Sequence, residues 1–202
     1  MAAAAATVLM PVKAFGAAKA RLAHALDDAA RAALARSMAD RVADAAADMP
    51  LAVACDDDGV AGWATARGAR VVWTEGLDLN GSVQAGMDAL RADGAPSVVI
   101  AHGDLPYAVD LTRLTAFPLP GATIVPDRRD DGTNVLHVPL DAGFVPAYGV
   151  GSFSRHVRQL RALGLDVRIA RLDDLRWDVD VPDDLPTVSA TATAAATGQL
   201  VQ

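Results

Sequence analysis

Four short apolar runs punctuate the first hundred residues: "TVLM" at 7–10, "LAVAC" at 51–55, "ARVVW" at 69–73 and "SVVIA" at 97–101. Their continuity, rather than alternation, predicts strands covered on both faces. Longer stretches with helical periodicity separate them. From Asp27 to about Ala47, strong helix formers carry Leu34, Met38 and Val42 four residues apart, with Asp27 or Asp28 placed to cap the first amides. A short helix is predicted over 58–68, ended by Gly68, and another over 81–92 with Val83, Met87 and Leu90 inward. Strands joined by helices predict an α/β fold: a mostly parallel mixed sheet flanked by helices, with right-handed crossovers. Ligands in such folds collect at the strand carboxyl ends, which places loops 11–20, 74–82 and 102–106 on one rim.

The second half reads differently. Strands are predicted at 122–127 and 134–140 around "RRDDGT", then a helix from "GSFSRHVRQLRALG", a strand "DVRIARL" and a short element "WDVDVPDDL". The chain predicts a single domain over residues 1–188, followed by a mobile tail over 189–202.

With 202 residues, 52% hydrophobic and 21% charged, the chain fits one well-packed domain and excludes a mainly disordered one. The net charge of −7 argues against gripping a nucleic-acid backbone, while leaving room for a small anion in a local positive pocket. The single cysteine, Cys55, ends an apolar run and reads as a buried hydrophobe. No signal-peptide pattern and no run of about 18 apolar residues is present, so no membrane partner is expected and the cytoplasm is the default location.

Of 18 Lys and Arg residues only two are lysines, and both, Lys13 and Lys19, fall in "PVKAFGAAKARL". With Gly16 and Arg21 they suit the phosphates of a nucleotide, although the Walker A pattern is absent. Asp104 in "HGDLP" follows the strand at 97–101; it either caps a helix starting near Tyr107 or faces a hard cation. His102 reads as a structural or rim hydrogen-bonding group. Asp178 and Asp180 in "WDVDVP" would share one face of a strand, with Val179 and Val181 turned to the core, and two such carboxylates call for a cation between them. Asp183 and Asp184 read as a helix start. In "GVGSFSRH", Ser152 suits a helix cap and the helix amino terminus suits an anion. Gly132 and Thr133 form either a plain turn or a contact to a second substrate; Arg128 and Arg129 are solvated or screen that substrate.

Taken in order, "PVKAFGAAKARL", "LNGSVQAG", "HGDLP", "PDRRDDGTNVL", "YGVGSFSRH" and "WDVDVPDDL" resemble the guanylyltransferases of deazaflavin coenzyme (F420) biosynthesis, which act on phosphoenolpyruvate or 2-phospho-L-lactate. The resemblance covers about residues 8–188 and implies a glycosyltransferase-A-like nucleotidyltransferase fold. It implies that GTP is a co-substrate, with Lys13 and Lys19 on its phosphates and Asn80 and Gly81 at the nucleoside. Catalysis falls to Lys13, Lys19 and Asp104. Asp104, Asp178 and Asp180 match the metal acids, holding one or two Mg2+ ions. Thr133, Asn134, Gly149 and Ser152 match the positions binding a small phosphorylated three-carbon acid.

No Ser, Cys or His nucleophile is then needed, because the acceptor phosphate is already anionic. Phosphoenolpyruvate is the favoured acceptor, since the alanine-rich, arginine-over-lysine composition suggests a high-GC bacterial source; 2-phospholactate stays open. A molybdopterin guanylyltransferase or cytidylyltransferase is the enzyme alternative, and a nucleotide-binding module without turnover is the alternative of another class. Monomer and homodimer are both compatible with the sequence.

Overall fold

The computed structural model of the chain describes residues 6–185. The expected tail beyond residue 188 lies outside them. The first half follows the apolar pattern closely, with strands β1 (Thr7–Pro11), β2 (Leu51–Cys55), β3 (Arg70–Trp73) and β4 (Ser97–Ala101) separated by helices α1 (Asp28–Ala45), α2 (Asp58–Ala66) and α3 (Leu79–Ala92). Each of the three helices starts on an aspartate whose carboxylate accepts a backbone N–H three residues on: Asp27 from Ala30, Asp57 from Val60 and Asp78 from Gly81. The third helix therefore begins two residues before the position predicted. A Cβ on Gly81 would stand 3.3 Å from the capping oxygen of Asp78, so this glycine serves the cap.

β5 (Ala122–Pro126), β6 (Thr133–Pro139), α4 (Ser152–Ala162), β7 (Val167–Ile169) and the four-residue α5 (Asp173–Arg176) complete the order. One seven-stranded sheet results, β3-β2-β1-β4-β6-β5-β7, in which β6 runs antiparallel to both neighbours and the remaining pairs are parallel. Alternate residues feed opposite layers. Val8, Met10 and Val53 face α1 and α2, while Leu9, Ile100 and Leu136 face α3 and α4. α3 lies so close to β1 that a Cβ on Gly86 would sit 2.6 Å from Leu9 Cδ1.

Two expectations need correction. Residues 177–181 are not a paired strand, although the chain stays extended at Trp177 and Val181. The Asp184 carboxylate accepts the N–H groups of Asp180 (2.8 Å) and Val181 (3.0 Å), supplying the partners a ladder would have given. The predicted strand through "DVRIARL" is only three residues long, since after Ala170 N–H bonds Ile124 O the chain leaves β5 for α5. Among the described residues no helix is long and apolar enough to cross a membrane.

Candidate active site

Because β1, β2 and β4 are parallel, the loops after them emerge on one rim, as the pattern predicted. The two lysines of the first loop part company there. Lys13 Nζ donates to Asp56 Oδ2 after β2 and to Leu77 O before α3, both at 3.0 Å. Lys19 turns to the opposite side, donating to Asp104 Oδ2 at 2.6 Å and Asp180 Oδ1 at 3.3 Å. Its backbone is left-handed, with φ of 56°. Between the lysines lies a cavity of about 240 Å3 bordered by Lys13, Phe15, Lys19, Leu79, His102 and Asp104. A Cβ on Gly16 would meet nothing within 4 Å, so that glycine is not required by close packing inside the protein.

Asp104 caps no helix; the next helical turn begins at Thr112 with Leu111 at its cap. Its backbone O instead accepts Val179 N–H at 3.3 Å, tying the 178–180 segment to the end of β4. Val179 is fully buried with Leu22 of the lysine loop and Met38 of α1. One small apolar cluster thus holds together the lysine loop and the segment carrying Asp178 and Asp180. Asp184 is also paired with Arg128, whose guanidinium lies 3.7 Å from the Trp177 ring centre, so Arg128 braces this segment.

Burial alone would lower the Lys19 ammonium, but Asp104 and Asp180 outweigh it and hold the group above its ordinary value. Burial would raise the Asp104 carboxyl, and Lys19 overrides it downward. Asp178 behaves oppositely: burial, then the charges of Asp104 and Asp180, push it up to about 6. Among the described residues no three His, Cys, Asp or Glu side chains converge on one point as a metal cage, since Asp104 and Asp180 converge on Lys19 instead. The chemistry of the set still suits a hard divalent ion: all donors are carboxylate oxygens, Asp104 Oδ1 is buried without a partner, and Asp178 is short of positive charge.

Of the expected second-substrate residues, Asn134 reaches the acid cluster, at Asp178. Thr133 and Asn134 open β6 and are buried. Asn134 is occupied internally, its Nδ2 donating to Leu175 O at 3.2 Å, and its side chain is near enough to Asp178 to oppose the upward push on that carboxyl. Thr133 Oγ1 lies 3.0 Å from His156 Nδ1, while Ala147 N–H donates to His156 Nε2 at 3.0 Å. An Nε2 that accepts leaves Nδ1 to carry the proton and donate to Thr133, whose own hydroxyl proton is then free for another acceptor.

Ser152 is the first residue of α4 and not its cap; the cap is Gly151, and no side chain caps the helix. Nor are the first amides of α4 open to an anion. Gly151 N–H donates to Asp131 Oδ1, Ser152 N–H to Gly149 O and Phe153 N–H to Asp131 O. An acceptor anion here must rely on hydroxyls. Gly149 has a φ of 114°, which a side-chain-bearing residue would adopt only with strain. Asn80 grips the same loop, accepting Tyr148 N–H on Oδ1 at 2.6 Å and donating from Nδ2 to Tyr148 O at 3.4 Å. Its amide is committed to holding loop 143–151 against α3.

Burial, then the charges of Arg155 and His102, press fully buried His156 down to about 4. A histidine ionising near 6.5 when unfolded and near 4 when folded gives stability that is complete above pH 6.5 and lost as pH falls through 4. Its loss amounts to on the order of 3 kcal/mol. Urea unfolding at pH 7 and pH 4.5 should show a smaller acid loss for His156→Gln than for the wild type; equal losses would contradict the buried neutral ring.

With the site described, its relatives can be compared. The family described as guanylyl transferase CofC-like matches residues 6–192. The chain belongs to that family. It is 34% identical over 196 residues to a phosphoenolpyruvate guanylyltransferase of Sphaerobacter thermophilus, covering 93% of this chain and 94% of that one. It is 33% identical over 184 residues to a 3-phospho-D-glycerate guanylyltransferase of Phenylobacterium zucineum, covering 85% and 84%. Among solved structures it is similar to a putative nucleotide-diphospho-sugar transferase of Desulfovibrio desulfuricans G20, with a TM-score of 0.74, 20% identity, and coverage of 96% and 90%. The expected nucleotidyltransferase fold is thereby found. Asp56 and His156, which make side-chain contacts to Lys13 and Thr133, were not singled out by the sequence. Asp56 comes immediately after β2, as Asp104 comes shortly after β4, and that position was the available signal.

Proposed function

We propose that this protein transfers GMP from GTP to phosphoenolpyruvate, giving enolpyruvyl-2-diphospho-5'-guanosine and pyrophosphate, a step of deazaflavin coenzyme biosynthesis. The observation that most supports the reading is the convergence of Asp104 and Asp180 on Lys19, with the Asp178 carboxyl crowded by both acids, on the ligand-bearing rim. Membership of the guanylyl transferase family supplies the reaction type, and the Sphaerobacter relative supports the acceptor.

A phosphate oxygen of the acceptor attacks the α-phosphorus of GTP. The new P–O bond forms as the α–β bridging P–O bond breaks, and pyrophosphate leaves with the electron pair. The acceptor is already ionised, so no side chain must remove a proton from it. What the reaction needs is orientation and compensation of charge. Lys19, held above its ordinary pKa, stays an ammonium throughout the neutral range and faces the polyphosphate. The hydroxyl proton of Thr133, directed by His156, and the hydroxyl of Ser152 donate to the acceptor's carboxylate and phosphate. Asp104, Asp178 and Asp180 would hold Mg2+, which supplies positive charge to the phosphates when bound.

The Phenylobacterium relative favours one second reading, in which the acceptor is 3-phospho-D-glycerate. Pyrophosphate release with GTP, Mg2+ and each of phosphoenolpyruvate, 3-phospho-D-glycerate and 2-phospho-L-lactate decides among them. The highest kcat/KM should belong to phosphoenolpyruvate. Turnover restricted to another phospho-acid would replace the acceptor, and turnover of none would remove the function.

A further inference from the structure

A second, smaller cavity opens on the other side of Lys13, between the ends of β1 and β2 and the start of α3. It holds about 190 Å3, less than the roughly 300 Å3 at which pockets for whole drug-sized ligands begin. Val12, Ala54 and Leu79 give it apolar walls, and Thr74 and Ser82 add hydroxyl-bearing side chains. Ser82 is 3% exposed and its Oγ has no hydrogen-bond partner. Asp56 and Lys13 complete the lining, their charged ends 3.0 Å apart. A surface ion pair alone would say little. This pair instead borders an apolar slot of single-base size that shares Pro11, Val12, Lys13 and Leu79 with the cavity leading to Lys19 and Asp104.

We infer that this slot takes the guanine base, with Asp56 accepting from N1–H and the N2 amino group and Lys13 donating to O6. The inference rests on the proposed use of GTP and deepens it. A carboxylate beside an ammonium presents two acceptors and then a donor along one edge, and guanine alone among the common bases presents the complement, two adjacent donors followed by an acceptor. Adenine would point its N1 lone pair at the carboxylate. Cytosine offers one amino donor followed by two acceptors, and uracil one N–H between two carbonyls. Asp56 Oδ2 already accepts from Lys13, and a carboxylate with about four lone-pair sites retains enough for both guanine donors. Leu77 O fixes the Lys13 ammonium from the other side. The Ser82 hydroxyl is left to meet a ring nitrogen or a ribose hydroxyl.

Inosine triphosphate differs from GTP only in lacking the N2 amino group, so it tests the contact directly. For the wild type, kcat/KM with GTP should exceed that with ITP by about 10- to 100-fold, the range of one bidentate base contact. In Asp56→Asn, the GTP-to-ITP ratio should fall below about 3-fold. A ratio near unity in the wild type, or an unchanged ratio in the variant, would overturn the assignment. Calorimetric binding of GTP and ITP to the wild type gives the same ratio without turnover or a variant. It keeps the two proposals separable: no transfer to any acceptor with GTP-selective binding retained would sink the function and leave the base pocket standing. Unselective binding with transfer intact would do the reverse.

Discussion

Lys19→Ala is expected to lower guanylyl transfer by about 100- to 1,000-fold, the range for removing one preorganised charge-stabilising group. Stability should fall with it. Lys19 is largely buried, and its removal leaves Asp104 and Asp180 facing each other and Asp178 without the ammonium between them. Breaking a partly buried ion pair from one side costs about 2 to 4 kcal/mol. The pair's contribution is present above the ordinary Asp value of 3.8 and below the ordinary Lys value of 10.5. Asp104 is depressed, so the contribution is lost as pH falls through its folded value; Lys19 is raised, so it is lost as pH rises through its own. With Asp178 ionising near 6 beside the same acids, the deficit should be level from about pH 7 to 9. Added Mg2+ should restore part of the melting temperature of the variant but not its rate. A variant of normal rate and lowered melting temperature would make Lys19 structural only.

Asp178→Asn should separate the same two quantities in the opposite sense. Turnover falls by about 100-fold or more as a charged ligand is lost, yet the metal-free protein gains stability at neutral pH. The sign follows from the raised carboxyl, about 6 when folded against 3.8 ordinarily. Folding opposes its ionisation, so the charge lowers stability as pH rises from 4 to 6 and keeps it lowered above. With Asp178 partly open to solvent, the gain on neutralisation is discounted to about 1 kcal/mol. Urea unfolding of the metal-free variant at pH 4 and pH 7.5 measures it: the gain should appear at pH 7.5 and vanish at pH 4. A loss of stability at pH 7.5 would mean that the carboxylate is held by local hydrogen bonds and not crowded by its neighbours.

The core of this protein was legible because its strands are continuous apolar runs and its first three helices open on aspartates, two signals that local chemistry enforces. The nearness of the three acids had a similar signal: Asp104 comes shortly after β4, and the spacing of Asp178 and Asp180 suits one side of an extended segment. What sequence misjudged depends on side-chain partners that periodicity does not reveal. The 177–181 segment has the alternation of a strand, but its amides are taken by Asp184, 3 and 4 residues away. α5 has four residues and no periodicity to read. The open helix terminus expected at Ser152 is filled by Asp131 from the hairpin before it. The clasp of the Asn80 amide on Tyr148, 68 positions away, has no local signal either. The lysines, read as one group from their shared loop, point to different acids because Asp56 and Asp104 end different strands.

The central claim is nucleotidyl transfer, and it is tested most directly by following the α- and γ-phosphates of GTP separately. With Mg2+ and phosphoenolpyruvate, label at the α-phosphorus should appear in a product carrying both GMP and the acceptor, while γ-label leaves entirely as pyrophosphate. Transfer of γ-label to the acceptor, or its release as inorganic phosphate with GDP remaining, would contradict the account.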